Sequence, residues 1–350
     1  MTNVMPIVRR GRGGGAGASV LGGDEVLLGA AAHLTERDRD LVRLVGEHRV
    51  LTTGQLAAAG FGSVITARHR LAVLTKLGML RRFRPHREAG SAPWHYLLGP
   101  AGAVLLGAED ADDRKWLAAV RSDRQLALTR SQRLAHLVGV NGFFIALLAH
   151  ARAGGGELRA WLSEQAAVGW LDRVRPWGQH TDLPRPDGLG MWAAAGSEMT
   201  FVLEYDTGTE HLAQLASKLP GYRSLAQAMA DVNRTCPLLL FCFPGPQREQ
   251  AARRALAACP EAAALRIATT AVDPELVSPA GPVWLPLIHG WPGGRVALCA
   301  LDTAMPDPWQ HYRAVRQRER DRAEQARSRA PWVGDPDDLD DMTDDQCPVG

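Results

Sequence analysis

The chain has 350 residues, of which 46% are hydrophobic, and its formal net charge is +2 at pH 7. This length allows two domains, the apolar fraction is typical of globular proteins, and the small net charge excludes a polycation. The cysteines form no Cys-x-x-Cys pair, so we expect reduced cytosolic thiols rather than zinc ligands or a disulfide framework. The longest apolar runs, such as 142–149 and 237–243, are too short to cross a bilayer. We therefore expect a cytoplasmic protein that does not contact membranes.

Residues 1–30 combine arginines with a glycine run, which predicts a solvated, disordered tail. The next segment, 31–110, predicts three short helices and a β-hairpin whose strands cover 80–84 and 94–98. The first and third helices are expected to begin beside the capping residues Thr35 and Ser63. The three predicted helices run from Thr35 to His48, from Thr52 to Gly60 and from Ser63 to Leu77. Three helices followed by a hairpin are the pattern of the winged helix-turn-helix domain.

The third helix and the hairpin carry a local excess of positive charge. The helix is expected to bury four apolar residues, Ile65, Leu71, Leu74 and Leu77. Its other faces and the hairpin are rich in cations, which suits a phosphate backbone and a major groove. We therefore expect double-stranded DNA to contact nine residues: Thr66, Arg68, His69, Arg70, Lys76, Arg81, Arg82, Arg84 and Arg87. Within this set, Arg68 and Arg70 are the candidates for base-edge contacts. The alternative is a solvated basic surface on a protein-binding winged helix.

Residues 111–310 predict a second domain with alternating strands and helices. Its elements are expected to be a helix at 126–153, a strand at 157–168, a loop at 171–184, a hairpin at 189–203, a helix from 208 to about 231 divided near Pro220, a strand at 236–243, a helix at 247–258 and a strand at 264–270. The fully apolar run at 236–243 is typical of a strand that is covered on both faces. This order, α-β-β-β-α-β-α-β, predicts an α/β (α+β) fold in which helices flank a mixed sheet, and it resembles the order of the restriction-endonuclease-like core.

Three acidic residues lie at the open end of the predicted hairpin. Asp187 begins the first strand, and Glu204 and Asp206 end the second strand on one face, because side chains alternate along a strand. Close carboxylates repel one another, so a cation is expected between them, and oxygen ligands suit Mg²⁺ or Mn²⁺. Lys218 in the following helix is expected to return over the strand end, where it would meet a substrate phosphate or activate a water molecule. The alternative makes Asp187 a turn residue and Glu204 a satisfied strand-end charge.

Pro186-Asp187 and Glu204 resemble motifs of the PD-(D/E)xK nuclease superfamily. The resemblance implies that Asp187 and Glu204 bind Mg²⁺ and that a lysine assists phosphodiester hydrolysis. Asp206 stands where that superfamily has its lysine, so Lys218 would be a migrated lysine, and Asp206 would be a further ligand or would orient it. Asn141 and Glu164 are possible counterparts of the first acidic motif. For Asn141, a hydrogen-bonded core amide is the competing interpretation.

The last forty residues, 311–350, have opposite charges in their two halves. Arginines recur through 313–329, which predicts a solvated basic helix, and seven aspartates in 335–345 predict a disordered acidic tail. We expect this tail to compete with DNA for the basic surface. A truncation after Arg329 would then bind DNA more tightly.

Taken together, five segments and two single residues resemble the replication-relaxation family of actinobacterial plasmid and mobile-element proteins: 34–38, 78–81, 140–144, 185–188 and 203–210, with Lys218 and Tyr222. The resemblance implies plasmid replication initiation or DNA relaxation during transfer, with relaxase or replication proteins as possible partners and a homodimer as a possible assembly. Two hypotheses follow. The core is a metal-dependent endonuclease, or it is a degenerate nuclease fold used for dimerisation or partner docking by a non-catalytic DNA-binding factor.

Overall fold

The computed structural model describes residues 34–86, 90–129, 131, 133–174 and 183–329. The predicted glycine-rich tail, Arg87 and the predicted acidic tail lie outside these residues. The N-terminal part contains helices α1 (Glu36–His48), α2 (Thr53–Gly60) and α3 (Val64–Lys76) and strands β1 (Leu51–Thr52), β2 (Leu80–Phe83) and β3 (His95–Leu98). The strands form a small antiparallel sheet in the order β1-β3-β2.

The N-terminal helices begin where the sequence predicts, because hydroxyl side chains cap them. Thr35 and Thr52 each accept a backbone hydrogen bond in a reciprocal capping box, and Ser63 accepts one from the Ile65 N–H. Helix α3 ends at Lys76, and Gly78 follows the capping residue Leu77 with a φ of 70°, in the left-handed region that glycine adopts readily. The local signals in this part of the chain therefore agree with the final structure.

The buried face of α3 differs from the prediction at its first turn. Ile65 is 66% exposed and Val64 is 45% exposed, whereas Leu71 and Leu74 are fully buried. Ala67 completes the inward stripe, because it lies one helical turn before Leu71 and is also fully buried. The first turn of α3 therefore presents apolar side chains to solvent.

The larger part of the chain is built on a mixed sheet. Within the described residues its strands are β4 (Glu157–Ser163), β5 (Gly188–Ala194), β6 (Ser197–Tyr205), β7 (Leu238–Cys242), β8 (Ile267–Thr270), β9 (Pro282–Pro286) and β10 (Val296–Ala297). They follow the order β10-β9-β8-β7-β6-β5-β4. Strands β6, β7 and β8 are parallel, and the other neighbours are antiparallel. Every residue of β7 is buried, so the predicted mixed sheet with a covered central strand is confirmed.

Helices pack on this sheet and connect it to the N-terminal part. After β3 the helices are α4 (Pro100–Asp110), α5 (Asp113–Ala119), α6 (Ser122–Thr129), α7 (Leu134–Arg152), α8 (Glu164–Val174), α9 (Leu212–Ala216), α10 (Leu219–Asp231), α11 (Pro246–Ala257), α12 (Leu301–Ala304) and α13 (Gln310–Arg329). Helix α7 lies in the main core, where Phe143 and Phe144 are fully buried against the aromatic rings of Trp161 and Phe201.

Three predicted elements have different bounds. The single helix expected at 126–153 is two helices, α6 and α7. The chain bends between them, and Leu128 and Leu134 pack in one small cluster with Val50 and Leu97. The segment predicted as the end of a strand and a loop contains α8, whose Ala167 and Leu171 are buried one helical turn apart. The helix expected from residue 208 begins only at Leu212, because Gly208 has a φ of 87° and lies in a loop.

Helix α7 is long and apolar enough to cross a membrane by length and composition alone, although the sequence runs were expected to be too short. In the fold its middle lies in the main core, where Phe143, Phe144 and Leu147 are fully buried. Asn141 in its middle is also buried and donates to the backbone carbonyls of His48 and Val50. The cytoplasmic location stays a prediction.

Candidate functional site

The candidate site lies at one edge of the mixed sheet, where β5 begins and β6 ends. Gly188 pairs with Leu203, and the Asp187 N–H donates to the Leu203 carbonyl at 2.9 Å. This antiparallel pairing places Asp187 beside Glu204, as the sequence predicted. The carboxyl end of β7 lies next to it, because β7 is parallel to β6. The sheet therefore holds two acidic residues on rigid strands at a shared edge.

Asp187 is held from two directions. Its Oδ2 accepts the Tyr205 backbone N–H at 2.8 Å, and its Oδ1 lies 2.9 Å from Nε2 of His136. His136 is on the first turn of α7, and no pattern in the sequence singled it out. Gly139 lies three residues further along. A Cβ at this position would be 2.4 Å from the Tyr205 ring, so the contact requires glycine. The close approach of α7 to the sheet edge therefore depends on Gly139.

Glu204 is buried and fully hydrogen-bonded. One carboxylate oxygen accepts from Nζ of Lys218 at 2.9 Å, and the other accepts from the Tyr222 hydroxyl at 2.5 Å. Lys218 lies at the break between α9 and α10, and Tyr222 follows one turn later. Lys218 also contacts Glu210 at 3.3 Å. The lysine thus returns over the strand end onto the carboxylate of Glu204, as the sequence predicted.

Burial governs the proton affinity of this site. Burial raises the pKa of Glu204 to about 7, the charge of Asp187 adds to the rise, and Lys218 and Tyr222 oppose it. For Lys218, burial alone would lower the pKa, but the charges of Glu204 and Glu210 outweigh it and hold the pKa above its ordinary range. At neutral pH the lysine is therefore a cation.

The neighbouring rings titrate differently from free side chains. Burial would lower the pKa of His136, but its hydrogen bond to Asp187 and that carboxylate's charge raise the pKa above the ordinary value. Burial raises the pKa of Tyr205 to about 12 and the pKa of Tyr222 well above its ordinary value. Both phenols are therefore protonated at neutral pH.

Asp206 does not join the other two carboxylates. Its Oδ2 accepts from Nε of Arg248 at 2.6 Å, and its Oδ1 accepts the Gly208 N–H at 2.8 Å. The predicted alternation stops because β6 ends at Tyr205 and the chain turns into a loop. Arg248 also donates to the Glu210 carbonyl, so this arginine orders the loop that leads to Lys218. Within the described residues, no group of three or more His, Cys, Asp or Glu is arranged to hold a metal ion.

The two candidates for a first acidic motif have other roles. Asn141 is a hydrogen-bonded core amide, which confirms the competing interpretation. Glu164 follows Ser163, which pairs with Gly188, so its backbone lies at the same sheet edge as Asp187. Its carboxylate is exposed and forms an ion pair with Arg185 at 3.3 Å.

The residues predicted to contact DNA divide into two groups. Six of them are exposed to solvent: Thr66, Arg68, His69, Lys76, Arg82 and Arg84. Arg70 differs, because its guanidinium forms two hydrogen bonds with the fully buried carboxylate of Asp38. Arg81 is half-buried and donates to the Gln125 side chain at 2.9 Å. Arg70, expected at base edges, is thus committed to the fold, because a buried carboxylate needs its counter-charge.

The comparisons with known proteins point to one family. A model described as replication-relaxation matches residues 42–238, which is more than half of the chain. The matched region includes the second half of α1, the helices α2 and α3, α7 with His136, and the sheet edge with Asp187, Glu204 and Lys218. No curated protein and no solved structure matches the chain.

Proposed function

The chain belongs to the replication-relaxation family, and we propose that it binds double-stranded DNA in the cytoplasm during plasmid or mobile-element replication or transfer. We propose further that its core is a PD-(D/E)xK-like nuclease centre that nicks or cleaves this DNA. The observation that carries this proposal is the position of the Lys218 ammonium, 2.9 Å from the Glu204 carboxylate at the edge that also holds Asp187.

The two carboxylates suit a magnesium or manganese ion. Mg²⁺ usually takes one or two protein carboxylates together with substrate phosphates and water, so Asp187 and Glu204 suffice as its protein ligands. A bound ion would polarise the scissile phosphate and lower the pKa of a water molecule. Asp206 is left out of this ligand set because it is paired with Arg248.

The chain's own groups would prepare the reaction. Lys218 would bring a positive charge to the phosphate as negative charge develops on its oxygens. Tyr222 and Lys218 orient the Glu204 carboxylate, and His136 orients Asp187. These contacts fix both acids before any substrate arrives, which is the arrangement that electrostatic catalysis requires.

In this proposal the N-terminal part is a winged helix-turn-helix domain that binds the DNA. Arg68, His69 and Lys76 are exposed on α3, and within the described residues none of them forms an ion pair with a carboxylate. A helix that carries unpaired cations suits phosphates at the edge of a major groove. Ile65, exposed on the first turn of the same helix, is available for contact with a thymine methyl group.

Two binding measurements test this proposal before any assay of cleavage. Titration of a fluorescent duplex should show salt-dependent binding that weakens for Arg68→Ala and Lys76→Ala. The control is Arg159→Ala on strand β4, because Arg159 is already paired with Glu157 and Glu198. Electron paramagnetic resonance of Mn²⁺ should show one bound ion in the presence of duplex. That signal should disappear for Asp187→Asn. Duplex binding without any Mn²⁺ binding would refute the nuclease centre and keep the DNA-binding proposal.

A second function is supported by the pairing of Asp206 with Arg248 at the position of the superfamily's lysine. Under this proposal the core is not catalytic, and the protein is a replication or transcription factor that uses its degenerate nuclease fold to dimerise or to dock a relaxase or replication protein. Light scattering would then give the mass of a dimer, and DNA binding would not depend on a divalent ion.

A further inference from the structure

One tryptophan at the hairpin contacts two arginines. The guanidinium carbons of Arg82 and Arg84 lie 4.3 Å and 4.1 Å from the centroid of the Trp94 ring. Arg82 is in β2 and Arg84 follows its end, two positions apart, so their side chains are on one face, and Phe83 between them packs into the core on the other. A single indole therefore orders both guanidinium groups through cation–π contacts.

The two charges have no acidic partner within the described residues. Arg84 donates to the hydroxyl of Ser91 at 2.9 Å, and both arginines are exposed. This differs from Arg70, whose guanidinium is paired with the buried Asp38. Two cations on one ring repel each other, so the arrangement is most stable when an anion binds beside them. Planar guanidinium groups are well matched to phosphate oxygens.

The pair lies on the helix side of the hairpin. Leu80 and Tyr96 alternate onto the same face as Arg82, and both are buried in the cluster that includes the N-terminal helices. The Trp94 carbonyl also accepts the Thr53 N–H at the start of α2. Arg82 and Arg84 therefore lie on the same face of the hairpin as the residues that pack against the N-terminal helices, and both remain exposed to solvent.

We propose that Trp94, Arg82 and Arg84 form a clamp for neighbouring phosphate groups of one DNA strand, with Trp94 as the positioning residue. The clamp rests on the proposed DNA-binding function and specifies what the hairpin binds. It holds the backbone and reads no base, because phosphate contacts carry no sequence information directly. Its ligand is consequently any duplex of sufficient length.

The salt dependence of duplex binding tests the clamp. The probe is a short fluorescent duplex of random sequence, titrated between about 50 and about 200 mM salt. Removing one arginine that neutralises a phosphate lowers the slope of log affinity against log salt by about 0.9, so Arg82→Ala and Arg84→Ala should each show this reduction. Trp94→Leu removes no charge, yet it should weaken binding about tenfold by releasing both guanidinium groups from their ordered positions. Trp94→Phe, which keeps an aromatic face, should restore most of the affinity.

Lys115→Ala is the matched control, because Lys115 makes a similar cation–π contact with Trp116 outside the hairpin. Unchanged slopes for both arginine variants beside a steep wild-type slope would overturn the clamp alone. Loss of slope in the arginine variants with wild-type affinity for Trp94→Leu would overturn the positioning role of the tryptophan. Wild-type protein that binds no duplex would overturn the DNA-binding proposal itself. The arginine variants change exposed side chains, so they remain informative if Trp94→Leu fails to fold.

Discussion

Removing Lys218 should destabilise the protein in a way that depends on pH. The Lys218→Met variant leaves the Glu204 carboxyl, which is 2% exposed, without its cationic partner. Removal of one partner from a buried ion pair costs about 3 kcal/mol or more. Lys218 itself is 32% exposed, and water replaces part of its contact, so we expect a loss of about 2 to 3 kcal/mol at about pH 8.

The pH dependence follows from the Glu204 carboxyl. Burial already raises its pKa from 4.5 to about 7, and removal of Lys218 raises that pKa further. When a carboxyl group has a higher pKa in the folded chain than in the unfolded chain, the free energy of unfolding falls as pH rises from the unfolded-state pKa to the folded-state pKa. At a pH above both pKa values, each further unit of difference between them lowers the free energy of unfolding by about 1.4 kcal/mol. At about pH 5 Glu204 is protonated in both the folded wild type and the folded Lys218→Met variant. The substitution should then lower the free energy of unfolding by only about 1 kcal/mol.

Urea unfolding at about pH 5 and about pH 8 measures both losses. Arg159→Met is the control, because Arg159 pairs with Glu157 and Glu198 in an exposed position where water screens the charges, so its removal should change the stability little at either pH. The double variant Lys218→Met with Glu204→Gln should recover most of the pH 8 loss. Equal losses for Lys218→Met at both pH values would refute the claim that Glu204 ionises against this lysine.

Three further substitutions, each at a buried contact of the fold, are tested by urea unfolding. Asn141→Leu should lower the free energy of unfolding by about 2 kcal/mol, because the Val50 carbonyl loses the amide donor and the His48 carbonyl keeps only the Val50 N–H; a neutral result would contradict the core-amide role. Gly139→Ala should destabilise despite a gain in helix propensity of about 1 kcal/mol, because its Cβ would lie 2.4 Å from the Tyr205 ring; a more stable variant would contradict this close approach. Arg70→Met should lower the free energy of unfolding, because it leaves Asp38 buried without its guanidinium partner. The slope of log DNA affinity against log salt concentration should stay unchanged. A reduced slope would show that Arg70 contacts DNA.

Local signals in the sequence were sufficient for much of the fold. Capping by Thr35, Thr52 and Ser63 is decided within three residues, so the helix starts agree with the structure. The hairpin of β5 and β6 turns at Ala195 and Gly196, both with positive φ, and its register sets Asp187 beside Glu204. The position of the two carboxylates was therefore predictable, because strand pairing alone determines it.

The remaining features depend on contacts between distant parts of the chain. Asp206 is 42 positions from Arg248, and no periodic pattern connects them. His136 is 51 positions from Asp187, and only the absence of a side chain at Gly139 marks where α7 approaches the sheet. Helix α8 was missed because its buried stripe has only two members, which a short apolar strand resembles equally well.

The proposed function depends most on the claim that Asp187, Glu204 and Lys218 form a hydrolytic centre for DNA. The most direct measurement is incubation of supercoiled plasmid with purified protein and Mg²⁺ or Mn²⁺, comparing wild type with Asp187→Asn. Glu198→Gln, which changes an exposed carboxyl at the opposite end of β6, is the control. We expect open-circular or linear product with wild type and the control, and none with Asp187→Asn. Plasmid that stays supercoiled with wild type, in conditions where the protein binds duplex, would contradict the hydrolytic centre.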